Sequence, residues 1–75
     1  MVTVLREAGL RIVIYLDDHE PAHVHAYGDG EARIDLVRLR VLSQRGMTRR
    51  ELAKTLSIVT SHHEFLLRKW TEIHG

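Results

Sequence analysis

An α+β fold, an antiparallel four-stranded β-meander followed by one long amphipathic C-terminal helix, is what this 75-residue sequence predicts. Three observations lead there. The first half is dense in β-branched residues and broken by short turns carrying glycine and aspartate. Each connection between those runs is too short for a parallel crossover, so neighbouring strands must be antiparallel. The second half changes its apolar period from two residues to steps of three and four, the spacing of one helix face.

Val2 to Arg6 alternates weakly as a short first strand, and Ala8-Gly9 supplies the turn after it. Leu10 to Leu16 reads Leu-Arg-Ile-Val-Ile-Tyr-Leu and is the clearest strand of the chain. Asp17-Asp18-His19-Glu20-Pro21 interrupts it, because proline cannot donate to a sheet ladder. Ala22 to Tyr27 forms a third strand, closed by the hairpin signal Gly28-Asp29-Gly30. Glu31 to Leu36 makes the fourth, with Leu39 as its furthest limit.

Thr48 then stands as an N-cap with Glu51 three residues on, the pattern of a capping box. Leu52, Leu56, Val59, His63, Leu66, Trp70 and Ile73 follow as one continuous stripe, uninterrupted by glycine or proline. The spacing predicts one helix from Arg49 to Ile73. Such a helix spans roughly 37 Å, whereas strands of ordinary length span only about 17–20 Å. The overhanging stripe predicts an interface with a second copy in a homodimer or with a different protein. The alternative is a helix that breaks and folds back.

Composition narrows the chemistry. The length fits one domain, residues 1–75, with a small core. Cysteine is absent, which excludes disulfides, thiolate metal sites and a cysteine nucleophile. No apolar run approaches the roughly 20 residues of a membrane span, and no signal-peptide layout opens the sequence. A cytoplasmic location, with no membrane partner, is the expectation.

Charge is uneven although the net charge is only +1. Acidic residues crowd the stretch from Asp17 to Asp35. Arg38, Arg40, Arg45, Arg49, Arg50 and Lys54 follow, opposed only by Glu51. These six basic residues are the candidate contacts for RNA or DNA; the alternative is a solvated surface. Met47 to Leu56 also looks like the first helix of a repressor-type helix-turn-helix, with Ser57-Ile58-Val59 as the turn and Thr60 to Trp70 as the recognition helix. The turn lacks the usual glycine, and the stripe passes through it in phase.

The histidines are the strongest chemical signal. His23 and His25 lie two apart on a strand and therefore share a face. With His19 and Glu20, and with Asp17 and Asp18 nearby, they could ligate a divalent metal, zinc or similar, the carboxylates completing the shell. As a pair, His23 and His25 could instead act as catalytic acid and base, as phosphodiester cleavage requires. A third reading gives them only a surface or interface role. His63 sits in the apolar stripe as a hydrogen-bonded histidine, His62 lies beside it, and His74 carries no signal of its own.

Several segments together resemble the bacterial domain-of-unknown-function family DUF4160. These are Gly9-Leu10-Arg11-Ile12, Asp18-His19-Glu20-Pro21-Ala22-His23-Val24-His25-Ala26 and Gly30-Glu31-Ala32. Gly46-Met47-Thr48, Glu51-Leu52, Leu66-Leu67 and Trp70 extend the likeness to the C-terminal half. Ala22 and Val37 depart from it, each standing where the family tends to have proline. The resemblance implies a small prokaryotic protein encoded beside a second small protein of the DUF2442 type, as in a toxin–antitoxin-like pair. The leading expectation is therefore an interaction protein of such a two-gene module, binding its partner or itself, with nucleic acid as a further candidate ligand. The alternatives are a small ribonuclease-like toxin using the His-x-His hairpin, and a DNA-binding autoregulator.

Overall fold

Five strands, rather than four, make one antiparallel meander in the order β1-β2-β3-β4-β5. They are β1 (Val2–Glu7), β2 (Leu10–Ile14), β3 (His23–Tyr27), β4 (Glu31–Asp35) and β5 (Arg40–Arg45). Two helices follow, α1 (Arg49–Ser61) and α2 (His63–His74). The computed structural model describes residues 1–75.

The β1–β2 turn is Ala8-Gly9, with φ of 52° and 81°, between the paired residues Glu7 and Leu10. Positive φ at both central residues marks the turn whose twist matches the strands it joins. The β3–β4 hairpin closes at Gly28-Asp29-Gly30, between the paired residues Tyr27 and Glu31. A Cβ on Gly30 would come within 2.6 Å of the backbone of Arg45 and Gly46, so β5 can run beside this hairpin only over a glycine.

The fifth strand is the first correction. Asp35 ends β4, and its Oδ1 accepts the backbone N–H groups of Val37 (2.7 Å) and Arg38 (3.0 Å). Leu39 adopts φ 54° and reverses the chain. This side-chain turn does the work of glycine or proline, and Arg40 then pairs with Asp35. All six residues of β5 are exposed, so it carries no buried alternation from which a strand could be read.

The single long helix is the second correction. At His62 the backbone leaves helical geometry, with φ −109° and ψ 24°. Hydrogen bonds continue on both sides, from His62 N–H to Ile58 and from Leu66 N–H to His62, so the break sacrifices little. It folds the stripe back over the sheet. Val59, Leu66 and Trp70 are buried, and Leu52, Leu56 and Ile73 pack against the same core. His63 is half-buried, and its Nε2 donates to the Leu36 carbonyl at 2.6 Å. The stripe is thus used within the chain, and the overhang that pointed to a second copy does not arise. The proposed repressor-type turn at Ser57-Ile58-Val59 lies inside α1, not at the break.

One sheet face supplies the core through Leu10, Ile12 and Ile14 of β2, Val24 and Ala26 of β3, and Ala32 and Ile34 of β4. Ile12, Ile14, Ile34, Val59 and Leu66 are fully buried, each worth about 1.5–3 kcal/mol relative to exposure. Thr48 caps α1 by accepting the Glu51 N–H at 3.1 Å. The Glu51 carboxylate accepts the N–H groups of Asp29 (2.9 Å) and Gly30 (3.2 Å), so it anchors the β3–β4 hairpin to the helix.

Candidate functional site

Strand parity puts His23, His25 and Tyr27 on the face of β3 opposite Val24 and Ala26. The chain between β2 and β3 then bends back over this face and brings Asp18 to both histidines. Asp18 Oδ2 lies 3.2 Å from His23 Nε2 and 3.1 Å from His25 Nε2. The three potential ligand atoms all lie within 4.8 Å of one another.

The loop is held from the far end of α2. Trp70 Nε1 donates to Glu20 Oε1 at 3.2 Å, and the Trp70 and His23 ring centroids are 5.3 Å apart. His74 packs on Trp70 at 3.8 Å, and its two ring nitrogens face the carbonyls of Trp70 (3.0 Å) and Tyr15 (3.2 Å). A residue without a sequence signal is therefore the clamp between α2 and the site loop.

His23 is 7% exposed, and its Nδ1 donates to the Pro21 carbonyl at 2.8 Å. A carbonyl only accepts, so Nδ1 carries the hydrogen and a neutral ring presents a lone pair at Nε2. That lone pair faces a carboxylate oxygen. A proton or a cation is needed between them. Burial pushes the His25 pKa below 6.5, and the charges of His23 and Arg33 act in the same direction, against the opposing pull of Asp18. Its neutral form, the form that ligates metals, is favoured accordingly.

The cation geometry can be tested against zinc. Ligands about 2.0–2.2 Å from a tetrahedral zinc stand about 3.3–3.6 Å apart. The two separations from Asp18 Oδ2 fall a few tenths of an ångström short of that, and all three atoms lie within 4.8 Å of one another, so a carboxylate rotamer together with a small shift of a histidine ring would close them around one ion. The outward nitrogen of His23 is already held by a carbonyl, the usual second contact of a ligating histidine. Asp18, His23 and His25 thus fit a divalent cation.

The remaining candidates lie elsewhere. His19 is exposed, and Glu20 is engaged with Trp70. The carboxylate that joins the histidines is Asp18, in the middle of the loop rather than beside the strand. Arg38 is in the β4–β5 turn, Arg40 and Arg45 are at the ends of β5, and Arg49 and Arg50 are in the first turn of α1, all exposed. Lys54 donates to the Ala8 carbonyl at 2.9 Å. The six basic residues are therefore spread over three parts of the surface.

His25 also lines a cleft of about 340 Å³ with Tyr15, Tyr27, Glu31, Arg33 and Arg45. The Tyr15 ring meets His25 edge-on at 4.6 Å, and its hydroxyl is hydrogen-bonded to that of Tyr27. This bond, reinforced by burial, raises the Tyr27 pKa to about 12, so its phenol keeps its proton at neutral pH. The cleft depends on β5, and could be found in the sequence only by pairing Arg33 with Ser43 across an unrecognised strand.

A family model described as a domain of unknown function (DUF4160) matches residues 9–71. No curated protein and no solved structure matches the chain. No helix is long and apolar enough to cross a membrane.

Proposed function

This chain belongs to the DUF4160 family, and we propose that it works through a divalent-metal centre held by Asp18, His23 and His25. One observation carries the reading: the ring of His23 is fixed by Pro21 so that its free nitrogen meets the carboxylate oxygen that His25 also approaches. Two imidazoles converging on one oxygen suit a shared cation. They suit less well an acid and a base standing on opposite sides of a phosphorus atom. Three protein ligands leave a fourth position for water or substrate, the arrangement of catalytic rather than structural zinc sites. A cation there would supply Lewis acidity to a bound oxygen. This favours an effector role within a toxin–antitoxin-like pair.

The test is metal stoichiometry. Native mass spectrometry of the full chain equilibrated with zinc should find one ion per chain, lost in His23→Ala and Asp18→Ala while circular dichroism stays native. Zinc-free wild-type protein, or variants that retain the ion, would sink the reading.

A second reading, binding of a protein partner, is favoured by β5. It is an exposed edge strand, and Val37, Val41 and Leu42 are exposed apolar residues on and beside it. From Val37 to Arg50 there are five arginines and no acid. Pairing β5 with a copy of itself would bring arginines together, so charge favours an acidic strand of a different protein over a homodimer. Co-expression with the neighbouring gene product should protect β5 amides from hydrogen exchange; unchanged protection in a purified complex would remove β5 as the interface.

A further inference from the structure

We infer that the cleft beside the histidine centre binds a phosphate ester, with Arg33 as the residue that takes the phosphate. The assignment deepens the reading of Asp18, His23 and His25 as a metal site, on which its third point of contact rests.

His25 and Arg33 are directly paired across β3 and β4, and Arg33 is paired in turn with Ser43 of β5. Directly paired residues on one face have Cβ atoms about 4.5–5.5 Å apart. The guanidinium is thus anchored beside the centre, and it is also oriented. Its Nε donates to Ser43 Oγ at 3.0 Å, which leaves the two terminal nitrogens as donors.

The charges in the cleft do not cancel. Glu31 is paired in register with Arg45 and offsets it. Arg33 has Ser43, a neutral residue, as its neighbour, and no carboxylate lies within ion-pair distance of it. Among the residues lining the cleft one carboxylate stands against two guanidinium groups, and a cation held by Asp18, His23 and His25 would offset the Asp18 charge at the histidine end.

The shape of this surplus selects the ligand. A planar guanidinium offers two parallel N–H donors, and a cation on His25 would approach from another side. Together they present three points of contact, which a phosphate can meet with three oxygens and a carboxylate cannot. The hydroxyl pair of Tyr15 and Tyr27 adds one more donor, since one phenol donates to the other and the second keeps its own O–H. A volume of about 340 Å³ accommodates a phosphate with its attached sugar. The phosphate could belong to a free nucleotide or to an RNA strand, and the chemistry at Arg33 would be the same.

Isothermal titration calorimetry of the zinc-equilibrated full chain, with adenosine 5′-monophosphate and separately with a short single-stranded RNA, tests this. At least one probe should bind wild type about tenfold or more tighter than Arg33→Gln, a loss expected for a charged hydrogen-bond donor. Arg68→Gln, an exposed arginine in α2 outside the cleft, should bind as wild type does. Preference for the RNA assigns the site to a strand, and equal binding assigns it to a free nucleotide. If zinc binds and Arg33→Gln changes neither affinity, or Arg68→Gln loses as much as Arg33→Gln, the phosphate site is overturned while the metal centre stands. If zinc does not bind yet both probes depend on Arg33, the metal reading fails and the phosphate site is upheld.

Discussion

His23 and Asp18 face each other at 3.2 Å through a ring nitrogen and a carboxylate oxygen, while the other nitrogen of that ring is bonded to Pro21. A neutral ring would set two lone pairs face to face, which either a proton on Nε2 or a bound cation relieves. Zinc at a hundred times its dissociation constant should add about 2.7 kcal/mol of stability. For a domain of this size that is a rise of roughly 10–20 °C in Tm. Differential scanning fluorimetry with and without chelator measures it, and Asp18→Asn should flatten the response. An unchanged wild-type melting curve at saturating zinc would count against the centre.

Glu51 joins the start of α1 to the β3–β4 hairpin through two backbone N–H groups, and it is 9% exposed. Glu51→Ala leaves both donors without their acceptor and should cost about 2–4 kcal/mol. Glu51→Gln keeps one acceptor oxygen and should cost less. Urea denaturation gives both values, and equal midpoints for Glu51→Ala and wild type would remove the anchor.

Asp35 gives the fold an acid dependence. The backbone N–H groups of Arg38 and Val37, with the charges of Arg40 and Arg38, hold its carboxyl below the ordinary value of 3.8 against the opposing effect of burial. The folded chain therefore keeps this carboxylate ionised to lower pH than the unfolded chain does. The stabilisation is complete above the unfolded value and is lost as pH falls through it towards the folded value. Asp35→Asn should be less stable than wild type near neutral pH, with the gap narrowing below about pH 4. A gap independent of pH would rule out this linkage.

Ala8 occupies left-handed backbone space at φ 52°, which costs an L-residue other than glycine, asparagine or aspartate about 1 kcal/mol. Its neighbour Gly9 already suits the turn. Ala8→Asn should stabilise the chain by about 0.5–1 kcal/mol, a Tm gain of a few degrees. Thermal melts decide it, and a fall in Tm would show that the side chain at this position is needed for something else.

The parts legible in the sequence are those with local causes. The β-branched and aromatic density of Leu10 to Leu16 and the run from Ala22 to Tyr27 announced two strands, and the period of a strand placed His23 and His25 on one face. Ala8-Gly9 and Gly28-Asp29-Gly30 announced their turns, and Thr48 announced the start of α1. Each signal acts within a few residues, so a linear reading can hold it. β5 escaped because an exposed strand has no buried face to impose alternation. The break at His62 escaped because the apolar stripe keeps its phase across it, and periodicity records which residues face the core, not whether the axis bends.

The sequence by itself thus determined an antiparallel meander, a helical second half and a pair of histidines sharing one strand face. The tertiary structure alone decided that Asp18, rather than His19 or Glu20, meets that pair, because Trp70 and His74 draw the loop back from the far end of the chain. It also decided that Glu51 serves a hairpin more than twenty residues away, and that Arg33 stands at the edge of a cleft. Such partners are chosen by how loops return and surfaces pack, and those long-range contacts leave no period in the chain.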